Sequence, residues 1–167
     1  MANRIVGFYT GESPDHAGRF LRDIQQWPDE QLELVHDFIQ WLFPLREPSP
    51  VNPRAPVLDR ETVEAFAARP ELRENLRASF LRMLRFYGLE WTASGVQPSA
   101  DFAEHSAMWM HPGNHNHLRI TRILKCLTLL GSSVEAMAFF ECLEKLYRQN
   151  PGVITAQTFR YWQEAIR

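Results

Sequence analysis

The sequence predicts an all-α fold: a single compact globular domain, spanning residues 1–167, of about six to eight helices. Three observations predict it. No stretch alternates polar and apolar residues for long enough to make a sheet. The 8 glycines and 11 prolines stand mostly where one helical pattern ends and the next begins. No segment repeats at the period of a helical-repeat protein, which argues against a solenoid.

The first two predicted helices lead to the most informative segment. Ser13-Pro14-Asp15 is typical of a helix start, with a capping residue followed by proline in the first turn. Trp27-Pro28-Asp29 ends that helix and begins a second, over about 30–43. Apolar residues cover more than half of the circumference of the second helix, which indicates a central position. Its polar residues fall in one narrow stripe: Glu33, His36, Asp37 and Gln40.

The middle of the chain combines a proline-rich connection with two further helices. Residues 45–56 contain four prolines and are predicted to be extended. Asp59 caps a short helix, and Pro70 begins a longer one that ends at Gly88. We expect residues 89–98 to form a loop.

Four more helices complete the prediction. One covers about 99–109, and another runs from about 114 to 130. Ser132 and Glu135 form a capping-box pattern at the start of the next helix. Thr155 is expected to cap the last one.

Composition excludes several classes of protein. Eighteen Lys and Arg against twenty Asp and Glu give a net charge of −2, which excludes a generally basic nucleic-acid coat. Two cysteines, Cys126 and Cys142, cannot build a disulfide framework, so we predict a reducing, cytoplasmic location. No apolar run reaches the roughly 18 to 20 residues of a membrane span. The first seven residues lack the apolar stretch of a signal peptide.

No catalytic constellation stands out, so we predict no catalytic residue, no bound metal and no cofactor. His36 and Asp37 are consecutive, and consecutive side chains of a helix diverge by about 100°. Both cysteines stand among apolar residues of helices, where inert core thiols are expected. Nucleophile-elbow and phosphate-loop motifs are missing from the sequence.

The helix over 114–130 carries the second polar pattern. Cationic and amide side chains recur every three residues: Asn116, Arg119, Arg122 and Lys125. Such a stripe could bind an anionic or acidic partner. It could equally pair with carboxylates of a neighbouring helix, such as Glu33 or Asp37, because structural ion pairs are a common fate of helix charges. We expect the two polar stripes to face each other, so that Asp37 and either Arg119 or Arg122 form a partly buried polar network. Such a network either holds the core in register or opens to a cleft as one binding site.

A nucleic-acid partner is an alternative hypothesis. Five arginines lie in the helix that begins at Pro70 or directly before it: Arg69, Arg73, Arg77, Arg82 and Arg85. Together with the stripe of the helix over 114–130 they could form one positive face. No nucleic-acid-binding motif accompanies them.

A metal-dependent hydrolase is a second alternative. Four histidines lie close together in sequence: His105, His111, His115 and His117. Asp101 or Glu104 would assist them. Zinc needs three or four converging ligands, and the spacing here does not place these imidazoles on one helix face.

Two stretches carry a resemblance to a known family. They are His36-Asp37-Phe38-Ile39-Gln40-Trp41-Leu42-Phe43-Pro44-Leu45 and Asn114-His115-Asn116-His117-Leu118-Arg119-Ile120-Thr121-Arg122-Ile123-Leu124-Lys125. The sequence resembles the conserved region of the opioid growth factor receptor family, and in its short form the bacterial members. The resemblance extends from about Phe8 to about Tyr147.

The resemblance implies a non-enzymatic, receptor-like module for a peptide or protein ligand. Animal members are described as receptors for met-enkephalin that associate with the nuclear envelope. No catalytic residue carries over, and the oligomeric state is left open. The ligand-binding positions that the motifs imply are His36, Asp37, Gln40, Trp41, His115, Asn116, Arg119 and Arg122.

Overall fold

The structure is a computed structural model that describes residues 3–167, and it confirms the all-α prediction. Met1 and Ala2, part of the segment considered for a signal peptide, lie outside the described residues. Within residues 3–167 there are ten helices, two more than the eight of the predicted pattern, because α1 was not predicted and one predicted helix is divided. The helices are α1 (Arg4–Thr10), α2 (Leu21–Gln25), α3 (Asp29–Leu34), α4 (Ile39–Leu42), α5 (Arg60–Ala68), α6 (Pro70–Phe86), α7 (Phe102–Trp109), α8 (Asn116–Leu129), α9 (Ser133–Gln149) and α10 (Ala156–Ala165).

The prediction of one helix over 30–43 was wrong. Val35 is extended, with φ −91° and ψ 129°, and it ends α3, while α4 begins only after Phe38. The helical pattern predicted that the side chain of Leu34 points inward, but it is 68% exposed.

A side chain from another part of the chain stabilises this break. In a continuous helix the carbonyl of Asp37 would accept a hydrogen bond from the backbone N–H of Trp41. Here it accepts one from the side chain of Asn52, at 3.2 Å, and the N–H of Trp41 donates to the carbonyl of Phe38 instead. The break is therefore stabilised by a contact between Asp37 and Asn52, which are 15 positions apart. The spacing of apolar residues along a helix does not predict such a contact.

The helix predicted to start near Ser13 begins later, at Leu21. Asp15 holds the residues that precede α2 in a tight turn, because its Oδ1 accepts hydrogen bonds from the backbone N–H groups of Ala17 and Arg19. Gly18 allows the turn with a positive φ of 78°. An aspartate that bonds the backbone in this way favours a turn over a helix.

A β-hairpin replaces the loop that was predicted over 89–98. Its strands, β1 (Leu89–Thr92) and β2 (Gly95–Pro98), are antiparallel, with Trp91 opposite Val96. Four residues per strand are too few for a period of two to be recognised in the sequence. The strand β2 packs against α9.

The predicted helix caps Asp59 and Thr155 are confirmed. The side chain of Asp59 accepts a hydrogen bond from the N–H of Thr62 at 2.8 Å, and Thr155 accepts one from Thr158 at 3.1 Å. Ser132 precedes α9 but makes no side-chain capping bond, so the predicted capping box does not form there. Its own N–H donates to the carbonyl of Leu127 instead, closing the end of α8.

The chain forms two compact units. The first contains the residues up to Phe80 together with Leu129–Gly131. In it α1 packs on α5, and four aromatic side chains make edge-on contacts in its core: Phe8, Tyr9, Trp41 and Phe66.

The second unit contains Leu81–Thr128 and Ser132–Arg167. Its core is also aromatic, and α10 packs on α9. The core rings in contact are those of Phe86, Tyr87, Trp109, His117, Phe139 and Trp162. The assignment of a single domain to residues 1–167 stays a prediction. None of the described helices combines the length and the apolar content that a bilayer span requires.

Candidate functional site

The predicted residue Asp37 lies in a network of side chains within the first unit. Arg19 donates from Nη1 to Oδ1 of Asp37 at 2.8 Å, and from Nε to Asp15 at 2.7 Å. Nε2 of His16 lies 3.1 Å from Oδ2 of Asp37. We call Asp15, His16, Arg19, Asp37 and Trp41 the Asp37 network.

The tautomer of His16 follows from its second contact. The indole N–H of Trp41 donates to Nδ1 of His16 at 2.9 Å. An indole N–H can only donate, so Nδ1 must carry the lone pair and Nε2 the proton that points to Asp37. Both imidazole nitrogens are thereby occupied, and neither is available as a general base.

The carboxylate of Asp37 is ionised at neutral pH. Its partial burial raises the pKa, but the hydrogen bond and charge of Arg19, followed by the hydrogen bond from His16, outweigh that effect, and the pKa lies below the ordinary 3.8. The side chain is 45% exposed, whereas that of Arg19 is 18% exposed. The network therefore presents a fixed negative group to solvent while its cation is mostly covered.

The other predicted residues of this segment divide into exposed and buried. His36 is exposed. Gln40 and Trp41 are buried, at 5% and 2% exposure. Oε1 of Gln40 accepts from Asn52 at 3.2 Å, the same amide that bonds the carbonyl of Asp37. Gln40 and Trp41 therefore help to position Asp37 from the interior of the protein, Gln40 through Asn52 and Trp41 through His16.

Sequence reasoning missed part of this network. Arg19 takes the place that the sequence analysis gave to Arg119 or Arg122 as the partner of Asp37. Neither His16 nor Asn52 was among the predicted site residues. The spacing of Asp15 and Arg19, four residues apart and bonded to each other, was the one signal that could have pointed to it.

The second predicted group lies on α8 and just before it, in the second unit. His115 is exposed and Arg122 is half-buried. Asn116 is fully buried and accepts from Nη1 of Arg119 at 3.5 Å. Since the two predicted groups belong to different units, their formation of one site stays a prediction.

His117 is a buried histidine whose setting the sequence did not reveal. Its Nε2 lies 2.9 Å from the carbonyl of Trp109, and its ring contacts both Trp109 and Trp162 edge-on. Burial lowers its pKa below 6.5, so the ring is neutral. Since a carbonyl only accepts, Nε2 carries the proton, and Nδ1 is a buried acceptor without a hydrogen-bond partner.

The arginines of the nucleic-acid alternative are partly used inside the protein. Arg69 pairs with Glu71 at 2.7 Å. Arg73 donates to the carbonyls of Phe66 and Ala67, which closes the end of α5. Arg82 is only 7% exposed. This alternative stays a prediction, with fewer exposed cations than the sequence suggested.

The metal alternative gains no support from residues 3–167. His105 bonds the carbonyl of Phe86 and pairs with Asp101, and His111 bonds the carbonyl of Ala107. Nowhere in that range do three or more His, Cys, Asp or Glu side chains come together as metal ligands would. Burial raises the pKa of both cysteine thiols, that of Cys142 to about 11, so neither is a ready nucleophile.

Comparison with known proteins places the chain in a family. Residues 6–167 match the family described as the opioid growth factor receptor (OGFr) conserved region. The chain is 44% identical to the opioid growth factor receptor of Rattus norvegicus over 68% of its length, and 39% identical to that of Homo sapiens over 90%. It is 38% identical to opioid growth factor receptor-like protein 1 of Xenopus tropicalis over 61% of its length.

The match covers a limited part of those relatives. The aligned region is 20% of the rat protein, 23% of the human protein and 20% of the frog protein, so the chain spans about a fifth of their length. No solved structure matches the chain. The match to the conserved region covers nearly all of the chain, and the chain belongs to the opioid growth factor receptor family.

Proposed function

We propose that this protein is a non-enzymatic binding module for a peptide or protein segment, and that the exposed edge of the Asp37 network contacts the ligand. The observation that carries the proposal is the half-exposed carboxylate of Asp37, which Arg19 and His16 hold in one orientation. The name of the relatives, receptors for a growth factor, supports a ligand-binding role.

A carboxylate held in this way suits the recognition of N–H groups. Each carboxylate has about four lone-pair positions, and two of those of Asp37 are already occupied by Arg19 and His16. The remaining positions can accept backbone or ammonium N–H groups of a ligand. Because the orientation is fixed before binding, little conformational entropy is lost when the ligand arrives.

The predicted site residues take different parts in this proposal. His36 and Asp37 contact the ligand, and the exposed side chain of Leu34 offers apolar surface beside them in the chain. Gln40 and Trp41 are positioning residues.

The predicted residues of the second unit supply further ligand contacts in this proposal. His115 and Arg122 reach solvent there, with Asn116 and Arg119 buried behind them. We propose no catalytic step, which agrees with the full occupation of both nitrogens of His16. A reducing, cytoplasmic location agrees with the free, buried state of both cysteines.

A binding titration tests the proposal. Fluorescence anisotropy of labelled met-enkephalin is measured against the wild-type protein and against Asp37→Asn. We expect saturable binding that the substitution weakens by about 10-fold or more, because a hydrogen bond to a charged group contributes about 1.5 to 3 kcal/mol.

Glu61→Gln is the matched control. Glu61 is an exposed carboxylate at the start of α5, in the same unit. Circular dichroism verifies that both variants are folded. Absence of saturable binding by the wild type, or equal affinity of Asp37→Asn and wild type, would contradict the proposal.

A further inference from the structure

A cavity of about 440 Å³ opens in the first unit, between the end of α1 and the helix α2. The side chains that matter for its chemistry are those of Phe20, Arg22, Asp23, Gln25 and Asn75. Its volume falls within the range of small-molecule sites, about 300 to 1,000 Å³. No member of the Asp37 network lines it, so the cavity is distinct from the site proposed above.

Two amides in the wall of this cavity have a fixed orientation. Nε2 of Gln25 donates to the carbonyl of Asn75 at 3.2 Å and to Oγ of Ser79 at 3.0 Å. Nδ2 of Asn75 donates to the carbonyl of Tyr9 at 2.7 Å. A carbonyl can only accept, so in both amides the nitrogen must face the protein backbone.

The amide oxygens are what remains for a ligand. Within the described residues, neither Oε1 of Gln25 nor Oδ1 of Asn75 accepts a hydrogen bond, and both residues are only half-buried. Rotation of either amide would lose the bonds of its nitrogen. The wall of the cavity therefore offers two amide acceptors in fixed positions.

The charges around the cavity add to this preference. The carboxylate of Asp23 is exposed and makes no ion pair with a described residue. The ring of Phe20, 40% exposed, supplies an apolar wall that also attracts cations. Arg22, which is exposed, is the one opposing charge among the lining residues.

We propose that this cavity binds a cationic N–H donor on an apolar stem, such as a lysine or arginine side chain of a partner peptide. The amide oxygens of Gln25 and Asn75 accept from its N–H groups. Asp23 pairs with its charge, and Phe20 packs against its methylene stem.

Nuclear magnetic resonance tests the proposal with small probes. The side-chain amide signals of Gln25 and Asn75 are followed in 15N-labelled full chain during titration with Nα-acetyl-lysine amide and Nα-acetyl-arginine amide. The uncharged Nα-acetyl-norleucine amide and the acidic Nα-acetyl-glutamate amide are the comparisons. We expect saturable shifts with the two cationic probes and much smaller shifts with the other two.

Two substitutions of exposed residues give opposite expected changes. Asp23→Asn should weaken binding of the lysine probe, and Arg22→Gln should strengthen it, each by roughly 1.5- to 5-fold, the effect of a partly exposed charge pair. Glu30→Gln, an exposed carboxylate on α3, is the control and should leave the affinity unchanged.

Several results would overturn the inference. They are the absence of saturable shifts with either cationic probe, equal shifts with norleucine amide, stronger binding of the glutamate probe, or changes of the same sign in both variants. The titration uses no met-enkephalin and does not depend on Asp37. Failure of this inference and failure of the proposed function are therefore separate outcomes.

Discussion

His117 shows how one buried side chain links folding to pH. Its Nε2–H donates to the carbonyl of Trp109, and its Nδ1 lies buried without a hydrogen-bond partner. Adding a proton would place a charge and an unsatisfied N–H among aromatic rings, which is unfavourable. Burial accordingly lowers the pKa of His117 below 6.5.

The stability of the protein should therefore fall as the pH falls below about 6.5. In that range the unfolded chain takes up a proton at His117 and the native protein does not, so protonation favours the unfolded state until the lower native pKa is reached. Above pH 6.5 both states are neutral at this position, and its contribution is complete. Urea unfolding at pH 7.5, 6.5 and 5.5 measures the effect as a decreasing free energy of unfolding.

The variant His117→Gln isolates this contribution. Glutamine can still donate to the carbonyl of Trp109 but does not titrate, so the slope of stability against pH should be shallower than in the wild type. His115→Gln, at an exposed position two residues earlier, should keep more of the wild-type slope. An unchanged slope in His117→Gln would show that this ring is not the group responsible.

At the scale of the element, the N-terminal cap of α5 gives a direct test of local stability. Asp59 accepts hydrogen bonds from both the N–H and the hydroxyl of Thr62. Asp59→Ala should lower the free energy of unfolding by about 0.5 to 2 kcal/mol, the usual effect of losing a capping side chain. Asp59→Asn, which retains an acceptor, should cost less. If chemical denaturation gives Asp59→Ala the same free energy of unfolding as the wild type, the capping role is contradicted.

Elements defined by local chemistry were predictable from the sequence. The helices α6, α8 and α9 are long and strongly periodic, and the caps of α5 and α10 are ordinary capping residues. Elements that depend on distant partners were not. The break between α3 and α4 requires Asn52 to bond the carbonyl of Asp37, and the hairpin over 89–98 is short and packs on α9.

At the scale of the whole molecule, the family motif located a candidate segment but not the function of each residue in it. His36, Asp37, Gln40 and Trp41 are consecutive or nearly so, yet only the first two reach solvent to a large extent. The ionic partners of Asp37 come from the turn at residues 15–20. The spacing of polar and apolar residues in the sequence does not predict such pairings, because tertiary packing determines them.

The central claim is that the exposed edge of the Asp37 network is a ligand-binding surface. Hydrogen-exchange mass spectrometry of the full chain with saturating met-enkephalin tests it most directly. The account predicts slower amide exchange in the turn at residues 15–20 and in the segment from Val35 to Leu42, with no change in α5 of the same unit. Unchanged exchange in both segments, or protection confined to other parts of the chain, would contradict it.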